Sequence, residues 1–161
     1  MKPRRGSAGK ELRDALARNN AHLEGQEQRE ALLEQQAFAR SLSNWFNSVA
    51  ADVPVKIDAI TRALKGGQPQ SPDFSYSAAD NGVNLRGIES IDLTTLEGFK
   101  QLDVACRELD VECTVTKGRY GYGRKSTAGQ PYLHVNVDAE KPYQPLQAET
   151  AKPRRHGGRF R

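Results

Sequence analysis

The chain has 161 residues, 37% of them hydrophobic and 27% charged, with a formal net charge of +4 at pH 7 and a mean hydropathy of −0.73. That is room for one ordinary domain with tails, too polar for a wholly packed body and too apolar in places for full disorder. No apolar run approaches the roughly 18 residues of a membrane span, no apolar stretch near Met1 reads as a secretory signal, and two cysteines are too few for a disulfide framework or a tetrahedral zinc set.

Charge is segregated along the chain. Residues 1–10 hold Lys2, Arg4, Arg5 and Lys10, residues 151–161 hold Lys152, Arg154, Arg155, Arg159 and Arg161, and neither end has an acid. Nine positive charges at the ends, against a total of +4, leave −5 on residues 11–150. Pro and Gly punctuate both ends and little there is apolar, so residues 1–9 are expected to be a disordered basic arm and 139–161 an extended basic tail. Such arms suit phosphate, which Arg grips bidentately, and Phe160 could stack on a base. An acidic protein surface is the alternative partner, and solubility alone the blandest reading.

Residues 10–66 are rich in Ala, Leu, Glu, Gln and Arg, and are expected to be a helical packing or oligomerisation region. Three helices are predicted. The first, about 10–24, carries a weak stripe of Leu12, Ala15, Leu16, Asn19 and Leu23, and Gly25 loosens the chain after it. The second spans 28–50. In it Ala31, Gln35, Phe38, Leu42, Trp45 and Val49 recur at steps of four and three, a coiled-coil seam widened by Leu32, Ala39 and Phe46. Little else in the chain can cover that seam. Phe38, Leu42, Trp45 and Val49 are therefore expected to form a homo-oligomer interface, with internal packing as the alternative. The third helix, 54–65, starts at Asp52 with Pro54 in its first turn, presents Val53, Ile57, Ile60 and Leu64, and ends at Gly66-Gly67.

Residues 67–73 read as a linker, after which the period changes to two. Phe74 and Tyr76, the turn Asp80-Asn81-Gly82, then Val83 and Leu85 predict a hairpin. Thr94-Thr95-Leu96-Glu97 reads as a capping box opening a helix with Leu96, Phe99, Leu102, Cys106 and Leu109 inward. Two alternating strands follow, with Val111, Cys113 and Val115, then Leu133, Val135 and Val137, facing in. The expected fold is α+β: a long helical N-terminal segment, then a ββαββ antiparallel module over 74–138 with one packed helix. Cys106 and Cys113 fall on inward positions and read as buried thiols in a reducing compartment.

The most unusual segment joins the last two strands. Lys117, Arg119, Arg124 and Lys125 flank Tyr120 and Tyr122 with no acid, and Gly118, Gly121 and Gly123 allow close backbone approach to a ligand. A soluble hairpin extension is the plainer reading. The same stretch nearly spells a phosphate-binding P-loop, but Arg124 intervenes before Lys125-Ser126 and no helix can follow. His134, Asn136 and Asp138 alternate as a solvated strand face does, and no Gly-x-Ser-x-Gly elbow occurs. No catalytic group, metal or cofactor is expected.

The reading is a non-enzymatic nucleic-acid-binding accessory protein of the cytoplasm or a virion, neither secreted nor membrane-bound. It would bind DNA or RNA through its arms and the 117–125 loop. The alternatives are a virion-type structural protein tied together by its arms and seam, or an inhibitor of another protein.

Overall fold

The computed structural model describes residues 7–120 and 129–150. It is α+β, with helices α1 (Ser7–Lys65) and α2 (Glu97–Leu109) and strands β1 (Asp73–Ser77), β2 (Glu112–Tyr120), β3 (Gln130–Asp138) and β4 (Ala148–Thr150). Two compact units divide the chain, Met1–Phe38 and Ala39–Arg161, so the division falls inside α1 and not at residues 67–73.

The three predicted helices are one. Gly25 interrupts nothing, because a helical glycine costs only about 1 kcal/mol, spread here among strong helix formers. Asp52 and Pro54 do not begin a helix either, and Pro54 lies inside α1. The helix stops where expected. Gly67, at φ 78°, takes the left-handed conformation, and its N–H and that of Gln68 return to the carbonyls of Leu64 and Ala63. This pairing satisfies the last carbonyls of the helix.

In the first unit the leucines of α1 face water, with Leu12 62%, Leu23 47% and Leu33 63% exposed. In the second unit Leu42, Trp45, Phe46, Val49 and Val53 are buried. The expected oligomer seam is therefore corrected at Leu42, Trp45 and Val49: the chain's own core covers them, and Phe38 is half-buried. Sequence reasoning underestimated the cover. Ile88 and Leu93, in the turn-rich stretch before α2, add apolar bulk that no period announces. Phe46 meets Phe99 of α2 edge-on, with ring centroids 5.7 Å apart.

Helix α2 packs against α1 at unusually short range. A Cβ on Gly98 would sit 2.0 Å from the carbonyl oxygen of Ser43, so only glycine fits. The Gly98 N–H donates to Ser43 Oγ at 2.7 Å. The expected Thr94–Glu97 capping box does not form. Leu96 is the N-cap and has no side-chain cap bond, while Asp92 caps the 3-10 turn Leu93–Thr95. The first turn of α2 is instead capped by a hydroxyl from α1, a partner 55 residues away in sequence.

The sheet order is β1-β3-β2-β4, with β1/β3 and β3/β2 antiparallel and β2/β4 parallel. The expected first hairpin is absent: β1 pairs with β3, and residues 79–95 form short 3-10 turns, with Gly82 left-handed after Asn81. Strand β4 lies within the stretch read as a basic tail. Tyr143 holds that stretch to α2, its hydroxyl donating to Asp103 Oδ1 at 2.6 Å and its N–H to Asp110. The inward strand residues are as expected: Cys113, Val115, Leu133, Val135 and Val137 are all buried.

The cysteines are corrected as well. Cys106 and Cys113 form a disulfide, with Cα atoms 6.5 Å apart. Asp110, in the left-handed conformation at φ 53°, turns the chain sharply out of α2. That turn brings Cys106, the last buried residue of α2, over Cys113, the first buried residue of β2. The reducing-compartment argument built on free thiols loses its support, since such bonds persist where conditions are oxidising.

Candidate nucleic-acid interface

Of the residues expected to meet nucleic acid, Lys2, Arg4, Arg5, Tyr122, Arg124, Lys125, Lys152, Arg154, Arg155, Arg159 and Arg161 lie outside the described residues. Tyr120 is placed by its backbone, paired with Gln130 at the end of the β2–β3 ladder. Strands β2 and β3 stay in register as far as that pair, so the basic Gly/Tyr segment leaves from the end of a nine-residue ladder.

Lys117 and Arg119 already have partners within the fold. Both share the inward register of Cys113 and Val115. The Lys117 ammonium donates to the carbonyl oxygens of Ile91 at 2.6 Å and Ile88 at 3.3 Å, which ties the turns before α2 to the sheet. Arg119 forms an ion pair with Glu89 and donates to the Gly129 carbonyl at 3.0 Å. The guanidinium holds the Glu89 carboxyl below the usual carboxylate range, and the carboxylate in turn raises Arg119. Charge alone could not reveal this. A lysine inside an alternating apolar strand was the available signal, because an inward register demands acceptors nearby.

Beside the end of the ladder lies a cleft of about 470 Å³, lined by Val83, Asn84, Leu85, Arg86, Arg119, Gln130 and Pro131 among others. Val83, Leu85 and Pro131 give it an apolar part beside two guanidinium groups, Arg86 and Arg119, both exposed. Sequence reasoning missed Arg86, which has no basic neighbour in the chain.

The outer face of the sheet, turned away from the core, is open. Thr114, Thr116, His134 and Asn136 sit on it, and none of them is buried. The Tyr132 and His134 rings stand 5.2 Å apart. Gly118 lies under Tyr132: a Cβ there would come within 2.8 Å of the tyrosine hydroxyl. A ring over a cross-strand glycine covers backbone that would otherwise be wet. The far end of the face is acidic, with Asp73, Asp138 and Glu112 side by side across three strands. Glu149 of β4 stands beside Thr116 on the same face, which thus runs from the three clustered carboxylates at one end to the Tyr132 and His134 rings toward the other, over roughly 27 Å of strand.

Comparison of the chain with protein-family models, with curated proteins and with solved structures finds no match. Among the described residues, no helix is long and apolar enough to cross a membrane.

Proposed function

We propose that this protein is a non-enzymatic nucleic-acid-binding accessory protein that takes single strands at the hairpin end of its sheet. One observation carries the reading. The acid-free segment 120–128 follows the end of the β2–β3 ladder, beside a cleft lined by Val83, Leu85 and Pro131 together with Arg86 and the Glu89-paired Arg119, while Asp73, Glu112 and Asp138 cluster at the far end of the sheet. Bases are flat and apolar-faced, phosphates are anionic, and such a cleft offers something to each. The two basic ends, with nine positive charges and no acid, extend the phosphate contacts. Lys117 is a structural residue in this scheme.

The test is anisotropy of a labelled single-stranded oligonucleotide and of a random duplex, titrated with the full chain across a salt series. The expected slope of log K against log salt is about −4 to −8. Arg124→Ala with Lys125→Ala should reduce it by about two, and Arg86→Ala by about one. Tyr122→Ala should weaken single-strand binding about tenfold with the slope unchanged. Absence of binding at low salt would contradict the proposal and favour an assembly role for the arms.

A further inference from the structure

We infer that Glu89 occupies the phosphate-binding fork of Arg119 in the free protein, and that a strand phosphate entering the cleft displaces it. This exchange rests on the nucleic-acid reading of the same cleft. Two guanidinium groups line it, Arg86 and Arg119, and they differ in state. The Arg86 side chain has no ion-pair partner among the described residues. Arg119 has its whole fork engaged. Its Nε and Nη2 donate to the two carboxylate oxygens of Glu89, the second at 3.3 Å, and its Nη1 donates to the Gly129 carbonyl at 3.0 Å. Two parallel N–H donors on two oxygens is the geometry in which arginine takes a phosphate, so the carboxylate stands where a phosphate would.

The exchange asks little of the fold. Glu89 lies in the 3-10 turn Ile88–Ser90. Lys117 Nζ donates to the carbonyls of Ile88 and Ile91 on either side of it, which ties the backbone of the turn to the sheet. Only the Glu89 side chain has to swing away. The Arg119 and Glu89 side chains are 38% and 47% exposed. An ion pair in that setting is weak, and a second anion can replace it without leaving a buried charge unpaired. The bond from Nη1 to Gly129 does not depend on Glu89 and holds the guanidinium in place while its anion changes.

Arg86 decides which anion wins. A strand already held by Arg86 and by the acid-free segment beside the cleft presents its next phosphate to Arg119 at high local concentration. An isolated small anion has no such advantage and must compete with a carboxylate that never leaves. Glu89 thus favours a strand of several phosphates over single ones.

The test is anisotropy of a labelled oligothymidylate titrated with the full chain across a salt series. Glu89→Gln should tighten binding by about twofold to fivefold, because the exposed pair no longer has to break. Arg119→Ala should lower the slope of log K against log salt by about one, and Arg119→Lys, which keeps the charge, should leave it unchanged. Most of the Glu89→Gln gain should vanish in the Arg119→Ala background, where there is no pair to break. Near-ultraviolet dichroism from Trp45 checks that each variant is folded. A wild type that binds with a slope indifferent to Arg119→Ala, a Glu89→Gln variant that gains nothing, or an equal gain in both backgrounds would overturn the inference and leave the nucleic-acid reading standing. Failure of the wild type and of every variant to bind at low salt would contradict that reading itself, and this inference with it.

Discussion

The two halves of α1 belong to one continuous helix and differ in fate. Residues 7–38 carry Leu12, Leu16, Leu23, Leu32 and Leu33, all exposed, whereas residues 39–65 bury Leu42, Trp45, Phe46, Val49 and Val53. The half richer in leucine, five against two, is the one that leaves them exposed, and the half with all the β-branched residues is the one that builds core. What differs is shape. The second half carries a Trp and a Phe on one side together with Ser43, whose backbone lets Gly98 come into contact. A helix is therefore a poor unit for deciding what is core, and the side chains able to mate closely with another element are a better one.

The largest expected effect sharpens that contrast. Trp45→Ala should destabilise the protein by about 3–5 kcal/mol in a denaturant melt at dilute concentration, whereas Leu23→Ala should change it by less than about 0.5. Trp45→Phe is a finer probe. Trp45 Nε1 is the one buried side-chain donor without a partner among the described residues, so the loss should be well below that of alanine. Next comes Gly98→Ala, with an expected loss of about 3 kcal/mol, because the added carbon overlaps Ser43 and removes the borrowed cap. Reduction of the Cys106–Cys113 bond should cost about 2–3 kcal/mol for so short a loop, measured as a shift in melting with and without reductant. Lys117→Met should cost about 1–2 kcal/mol, chiefly through the Ile91 carbonyl it leaves unpaired, since the Ile88 carbonyl keeps its bond from the Ile91 N–H, and leave the salt dependence of any nucleic-acid binding unaltered.

The smallest effects are those of pH. Tyr76 is half-buried and donates to Asp52 Oδ2 at 2.7 Å. Burial first, then the bond to Asp52, hold its hydroxyl well above the ordinary value of 10.0. The folded state thus keeps this proton more tightly than the unfolded state does. The stability it confers is complete below pH 10 and is lost as the pH rises toward the folded value. Tyr76→Phe should remove that alkaline dependence from a melting series. Glu89, bonded to Arg119, is depressed, so its small contribution is present at neutral pH and fades as the pH falls below the usual carboxylate range. Added salt should weaken it further, as the pair is exposed.

The α+β class, the end of α1 at Gly67, the inward faces of α2 and of β2 and β3, and the apolar stripe of α1 were all legible from period and punctuation. Three features were not, for separate reasons. Val83 and Leu85 alternate like a strand but pair with nothing, because β1 takes β3 as its neighbour and that choice is non-local. Gly25 and Pro54 look like breaks, yet a long helix tolerates both. The cap of α2 comes from Ser43, and no window of sequence spans that distance. At the candidate interface the basic hairpin was visible as composition. The commitment of Lys117 to two backbone carbonyls and the presence of Arg86 at the cleft needed the register of the sheet.

Amide hydrogen exchange along α1, run at low and high protein concentration, tests the contrast between its halves most directly. Amides between residues 42 and 60 should be strongly protected at both concentrations, because their cover comes from the same chain. Amides between residues 12 and 33, whose leucines have no cover from the described chain, should exchange much faster. Equal protection of the two halves would contradict the account.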